Sequence, residues 1–148
     1  MSKSNAFELD LLEHFFQNAA VAGIGDATGW PATGTAGNLY ISLHSADPGE
    51  AGTQTTSELA YSGYARVAVA RSSAAWTITT ASGSVSPASN ITFPTSAGSG
   101  ATAHFFGVGY TSTGAGVLAY SGTVTPAIAV GGAGIVPILT TATAVTED

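Results

Sequence analysis

The chain has 148 residues, nine of them acidic and three basic, and only 8% are charged where a typical soluble domain carries about 25%. That length allows one compact domain with a single sizeable core. Lys3, Arg66 and Arg71 are too few to neutralise a run of phosphates, so nucleic-acid binding is excluded; the absence of cysteine excludes disulfides and thiolate metal sites, and no apolar run reaches the roughly 18 residues of a membrane span.

The first ten residues place Glu8 and Asp10 where a secretory signal would need its apolar stretch, so synthesis in the cytoplasm is expected. Residues 4 to 18 predict one amphipathic helix. Ser4 or Asn5 supplies the N-cap, Glu8 follows at capping-box distance, and Glu8 and Asp10 sit where the helix dipole favours anions. Leu9, Leu12 and Phe16 form one stripe with Leu11 and Phe15 beside it, and Glu13, His14 and Gln17 fill the other side. Such a stripe must be covered, by the chain's own sheet or by a neighbouring subunit. Residues 19 to 37 lose all period and read as a long Gly/Ala/Thr-rich loop. Trp30, in its middle, is a plug over the core or an anchor at an interface.

From Asn38 onward strands and turns are expected. Leu39, Ile41 and Leu43 alternate with Tyr40, Ser42 and His44, a period of two. Asp47-Pro48-Gly49 makes a turn, and residues 52 to 59 are polar and turn-like. Further strands are expected over Tyr64 to Arg71, Trp76 to Thr80, around Val85, at Asn90 to Pro94, over His104 to Tyr110 and Val117 to Val124, with one or two in Ile135 to Val145. Gly107 and Gly109 interrupt their strand and mark a bulge or a close backbone approach. The fold class is therefore mainly β: a β-sandwich or partly closed barrel of about seven or eight short antiparallel strands, preceded by the helix. Residues 1–37 form the helix and loop, and 38–148 the β-domain of one compact whole.

No constellation for chemistry emerges. His14, His44 and His104 lack the spacing of a metal helix, and His44 is expected to hydrogen-bond locally near Asp47. Asp47, Glu50 and Glu58 lie in turn-like segments with nothing to set them at a fixed separation. No nucleophile elbow and no phosphate-binding loop occurs. The glycines at 98–100 and 131–134 read as turns. Arg66 and Arg71 stand on one expected strand of an acidic chain, positioned to pair with Glu50, Glu58 or a neighbour's carboxylates.

An ordered set of segments resembles a known family. Asn38-Leu-Tyr-Ile-Ser-Leu-His-Ser-Ala-Asp-Pro-Gly-Glu50 is followed by Glu58-Leu-Ala-Tyr-Ser-Gly-Tyr-Ala-Arg-Val-Ala-Val69. Ile91-Thr-Phe-Pro94, His104-Phe-Phe-Gly-Val-Gly109 and Gly116-Val-Leu-Ala-Tyr-Ser-Gly122 complete it. Together with the N-terminal helix they are similar to a family of small tailed-bacteriophage virion proteins, known variously as head decoration, minor capsid or tail-fibre proteins. The resemblance implies a non-enzymatic β-domain with no cofactor, made in the host bacterial cytoplasm and displayed on the virion. The leading expectation is a capsid decoration, or cement, protein on the capsid exterior. Its partners would be the major capsid protein and copies of itself as trimers or dimers, with no nucleic acid and no membrane. The alternative is a tail, collar or tail-fibre component whose partners are tail proteins. Leu9, Leu12, Phe16, Trp30, Arg66 and Arg71 are the expected interface residues.

Overall fold

A computed structural model describes residues 3–26 and 29–146, with the side chains at 24–26 and 30 outside that description. The chain is mainly β with one N-terminal helix. The described strands pair antiparallel in four sheets, none of them a closed barrel. Two compact units are interleaved in sequence. The first comprises Met1–Asn38, Ala70–Ser89 and Thr141–Asp148, the second Leu39–Val69 and Asn90–Thr140.

In the first unit, α1 spans Asn5–Gln17. Ser4 is the N-cap: its Oγ accepts from the Phe7 amide at 3.4 Å. With the cap at Ser4, Glu8 falls one position past the capping-box site. Asn18 ends the helix in the left-handed conformation at φ 56°. Residues 19–37, expected to be a loop, contain two strands, β1 (Val21–Asp26) and β2 (Gly29–Trp30), paired Val21 with Trp30 and Asp26 with Gly29. Their sequence has no alternation of apolar and polar residues to announce them. At Gly29 (φ 82°) a Cβ would collide with the backbone carbonyl of Val21, so only glycine lets the two segments approach.

The three-stranded sheet of this unit has the order β11–β6–β5; β5 is Trp76–Thr79, β6 Ser84–Pro87 and β11 Val145–Thr146. α1 packs on β5 and β6. Phe16 meets Trp76 edge to face with centroids 4.8 Å apart, and Phe15 meets Phe16 in the same way at 4.9 Å. Leu12, Phe16, Trp76 and Val85 are all buried. The indole Nε1 donates to Ala70 O at 3.0 Å, and Gln17 Nε2 donates to Trp76 O at 2.8 Å.

In the second unit a four-stranded sheet runs β4–β3–β8–β9, with β3 Asn38–His44, β4 Val67–Ala70, β8 Thr102–Gly109 and β9 Leu118–Ala129. Strand β4 is shorter than the expected run from Tyr64 to Arg71. A two-stranded sheet joins β7 (Ile91–Thr92) to β10 (Ile138–Leu139). Register places Ile41 opposite Val108 and Leu43 opposite Phe106, so the apolar half of the β3 alternation makes one buried face. Gly122 lies opposite Phe106, and a Cβ there would meet the ring at 2.8 Å. Tyr64 stacks on Phe93 at 6.4 Å between centroids and meets Tyr61 edge to face at 5.2 Å.

Phe16→Ala empties the contact with Trp76 and is expected to lower unfolding stability by about 3–5 kcal/mol in chemical denaturation. Leu9→Ala, at a half-buried position of the same helix, is expected to cost clearly less in the same assay.

Candidate functional site

The other half of the β3 alternation is polar, and its Ser42–His44 end is buried too, while Tyr40 is half-buried. Ser42 and His44 are 0% exposed. His44 does not bond in the Asp47 turn as expected. Its Nδ1 lies 2.8 Å from Thr56 O, a group that only accepts, so Nδ1 carries the proton. Nε2 then accepts from Ser42 Oγ at 2.8 Å. Burial lowers the His44 pKa below the ordinary 6.5, outweighing the Thr56 bond and the Glu58 charge that oppose it. Ser42 pairs with Gly107 across the ladder, and a Cβ on Gly107 would stand 2.6 Å from His44 Nε2 and 2.7 Å from Ser42 Oγ. A serine and a histidine in contact are the residue types of a nucleophile and base, yet both are fully covered and no substrate reaches them.

Gln54, also fully buried, ties the segment after β3 to the turn between β8 and β9. Its Oε1 accepts from Thr111 N at 3.1 Å and from Thr111 Oγ1 at 2.9 Å, and its Nε2 donates to Thr111 O at 3.3 Å. Gln54 N donates to Gly116 O at 3.0 Å, and Thr53 bridges Val117. A Cβ at Gly109 or at Gly116 would occupy the space of the Gln54 side chain. Of the two readings of Gly107 and Gly109, the register shift between Val108 and Gly109 matches a bulge, and what comes close to both glycines is side chains, mainly polar, rather than another backbone.

Glu58 is the charged centre of this region. Arg66 grips it with two bonds of 2.7 Å, Nε to Oε1 and Nη2 to Oε2. The Tyr64 hydroxyl donates to Oε1 at 2.9 Å and accepts from Leu43 N at 3.1 Å. Arg66 Nη1 reaches Thr111 O at 2.9 Å, and Nη2 reaches Gly114 O at 2.8 Å. The bond to Glu58 raises the Arg66 pKa, and burial pushes the Tyr64 phenol well above its ordinary range. Among the described residues no buried side-chain nitrogen or oxygen lacks a partner.

The network itself lines a small open pocket of about 260 Å³ with Ala65, Ser112 and Thr113, and a separate open groove of about 470 Å³ is lined by Asp47, Gly49, Glu50, Leu118, Ala119, Tyr120 and Ser121. The Asp47 carboxylate holds its own turn by accepting from Gly49 N at 2.9 Å. No group of three or more metal-ligating side chains occurs among the described residues, and no helix there is long and apolar enough to cross a membrane.

The residues expected at an interface separate into distinct settings. Leu12 and Phe16 are 0% exposed and used inside the chain, against β5 and β6, because the helix stripe finds its cover there; Leu9 is half-buried. Trp30 lies on β2, and its side chain is outside the described residues. Arg71 serves α1: Nε donates to Phe15 O at 2.7 Å and Nη2 to His14 O at 2.6 Å, satisfying carbonyls at the helix end. Of Glu50, Glu58 and a neighbour's carboxylates, the partners expected for Arg66, Glu58 is the one it meets within the chain. Sequence reading missed Gln54, Tyr64, Thr111 and the Ser42–His44 pair; the signal for them is the run of glycines at 107, 109 and 116, which leaves room on one face of the sheet.

Arg66→Lys removes the two-pronged grip and is expected to lower stability by about 1–3 kcal/mol, with Glu58→Gln falling in the same range, both read by thermal or urea unfolding. His44 binds its proton less readily folded than unfolded. Its contribution to stability is complete above 6.5 and is lost as pH falls through the range below. Urea unfolding at about pH 7.5 and about pH 5.5 is expected to show a drop toward acid that is smaller in His44→Gln.

A family model described as "Podophage GP4 fiber I protein gp80" matches residues 2–146. No curated protein and no solved structure is significantly similar. With the match running through both units, the chain is a structural component of a phage virion and belongs to the podophage GP4 fiber I protein gp80 family.

Proposed function

We propose that the protein is a non-enzymatic component of a tail fibre, joined to tail proteins and serving attachment of the virion to its host. The observation that carries this reading is the family match over residues 2–146, whose description is of a fibre protein. It favours the tail alternative over the shell-cement role that the sequence resemblance put first. The geometry supports a structural part rather than a catalyst. The Ser42–His44 contact is sealed, and the polar groups of Gln54, Glu58, Tyr64 and Arg66 are engaged with one another or with backbone. The Asp47–Glu50 turn and the groove beside it leave an open surface for contact with other virion parts or with the host.

Quantitative mass spectrometry of purified virions, with gold-labelled antibody to locate the protein, tests the proposal. A few to a few dozen copies per particle, with label confined to the tail, is the expected result. A ratio near one copy per coat subunit, with label over the head, would return the protein to the shell.

A further inference from the structure

The His44 side chain lies between the sheet and residues 53–57, and the two covers differ in strength. On the sheet side the ring faces Gly107, which belongs to a ladder of five consecutive pairs from Tyr40–Gly109 to His44–Phe105. Residues 53–57 form no strand; they are a turn flanked by single bridges at Thr53 and Glu58. Separate bonds hold them down: His44 Nδ1 to Thr56 O at 2.8 Å, Ser45 N to Ser57 O at 2.8 Å, Gln54 N to Gly116 O at 3.0 Å, and the Gln54 side chain to Thr111. We propose that this segment is an acid-sensitive strap: when the His44 ring takes a second proton, residues 53–57 lift from the sheet while β3 and β8 remain paired. This holds wherever in the virion the protein sits.

The geometry suits a neutral ring and no other. Once Nδ1 and Nε2 both donate, the Ser42 hydroxyl loses its acceptor, and among the described residues it has no second one. The new charge would stand at 0% exposure. Of the charged groups nearby, Glu58 favours a cation and Arg66 opposes it. Both Glu58 oxygens are already held, by Arg66 and by the Tyr64 hydroxyl, so the ring gains no carboxylate of its own. Asp47 is turned to Gly49 N. β8 sets Phe105 opposite His44, its His104 is exposed, and β9 carries no Asp, Glu, Lys or Arg. Nδ1 donates to Thr56 O in both protonation states, so the driving force lies at Nε2 and in the buried charge. Water is what remains to stabilise the imidazolium, and it reaches the ring when one cover moves. Moving Gly107 breaks a continuous ladder, whereas moving the strap breaks isolated bonds, so the strap yields first. Its departure withdraws Gln54 from Thr111 and Gly116, leaving Arg66 to hold the turn between β8 and β9. It also loosens the turn at 47–50, one wall of the larger groove, which makes that surface sensitive to acid.

The test is hydrogen exchange of the full chain, followed by NMR from about pH 7.5 to about pH 5 and corrected for the intrinsic pH dependence of exchange. Three amides report on the strap: Ser45 N, bonded to Ser57 O; Gln54 N, bonded to Gly116 O; and Thr111 N, bonded to Gln54 Oε1. Their opening constants are expected to rise together below pH 6.5, by up to about tenfold per pH unit, while amides in the β3–β8 ladder change far less. His44→Gln, whose amide can donate to Thr56 O and accept from Ser42 Oγ without titrating, is expected to show no such rise. If that variant does not fold, the His44 ring resonances of the wild type decide, since opening must follow their titration. Protection of the three amides that is independent of pH, equal loss across the β3–β8 ladder, a rise that persists in folded His44→Gln, or opening that does not track the His44 ring would overturn the inference.

Discussion

The Glu58 carboxylate is the constraint around which the second unit is arranged. A half-buried carboxylate must be matched by donors, or its desolvation goes uncompensated. Arg66 meets it in the two-pronged geometry suited to a carboxylate, and Tyr64 adds a third donor. Each of those donors is committed a second time, Tyr64 to the Leu43 amide and Arg66 to the carbonyls of Thr111 and Gly114. One charge thereby ties three pieces of chain together: the segment before β4, strand β3, and the turn between β8 and β9. In a chain with three cations no nearby substitute exists, and Lys3 and Arg71 belong to the other unit. Arg71 plays the corresponding part there by gathering the carbonyls at the end of α1.

Glycine provides the space that this arrangement needs. Gly107, Gly109 and Gly116 remove side chains from one face of the sheet, and Ser42, His44 and Gln54 fill the room. The sheet is thus buried on both faces near β3, with apolar contacts on one and satisfied polar contacts on the other. A polar layer of this kind does not tolerate slippage, because a shift of one residue along β8 would exchange Gly107 for Phe106 or Val108 against the Ser42–His44 pair.

This explains how much of the molecule its sequence discloses. The helix and its cap were legible because they depend on neighbours within four residues, Ser4 to Phe7 and the stripe through Leu12 and Phe16. Strand β3 was legible from Leu39, Ile41 and Leu43, and Glu58 appeared among the candidate partners of Arg66. The β1–β2 hairpin was not, since it rests on backbone approach at Gly29 and shows no periodicity. The short strands β7, β10 and β11 fall in or at the end of the runs Asn90 to Pro94 and Ile135 to Val145 where strands were expected, though each keeps only two residues. The partner of His44 was misread because the nearest acid in sequence is Asp47, whereas the fold brings Thr56 O and Ser42 closer. The helix stripe announced that it needed cover but not whose; the answer lay in Trp76, about sixty residues away in sequence.

The distribution of charge joins the fold to the assembly. Every Asp, Glu, Lys and Arg lies within the first 71 residues or the last two, and the intervening stretch, which holds seven of the strands, has none. Apart from the Arg66 bonds to Thr111 and Gly114, that stretch owes its order to apolar burial and to backbone and uncharged side-chain hydrogen bonds, which salt screens little. Its exterior of Thr, Ser, Ala and Gly lacks the charge that keeps free proteins apart. A monomer that must remain single in a crowded cytoplasm is poorly served by such a surface. A subunit that ends inside a virion is well served by it, because neutral, short side chains let neighbouring backbones approach closely and impose no repulsion between identical copies. The scarcity of charge met first in the composition is therefore uneven along the chain: Glu58, Arg66 and Arg71, which pin the fold, lie in its first half, and the stretch from Ser72 to Thr146 carries no Asp, Glu, Lys or Arg.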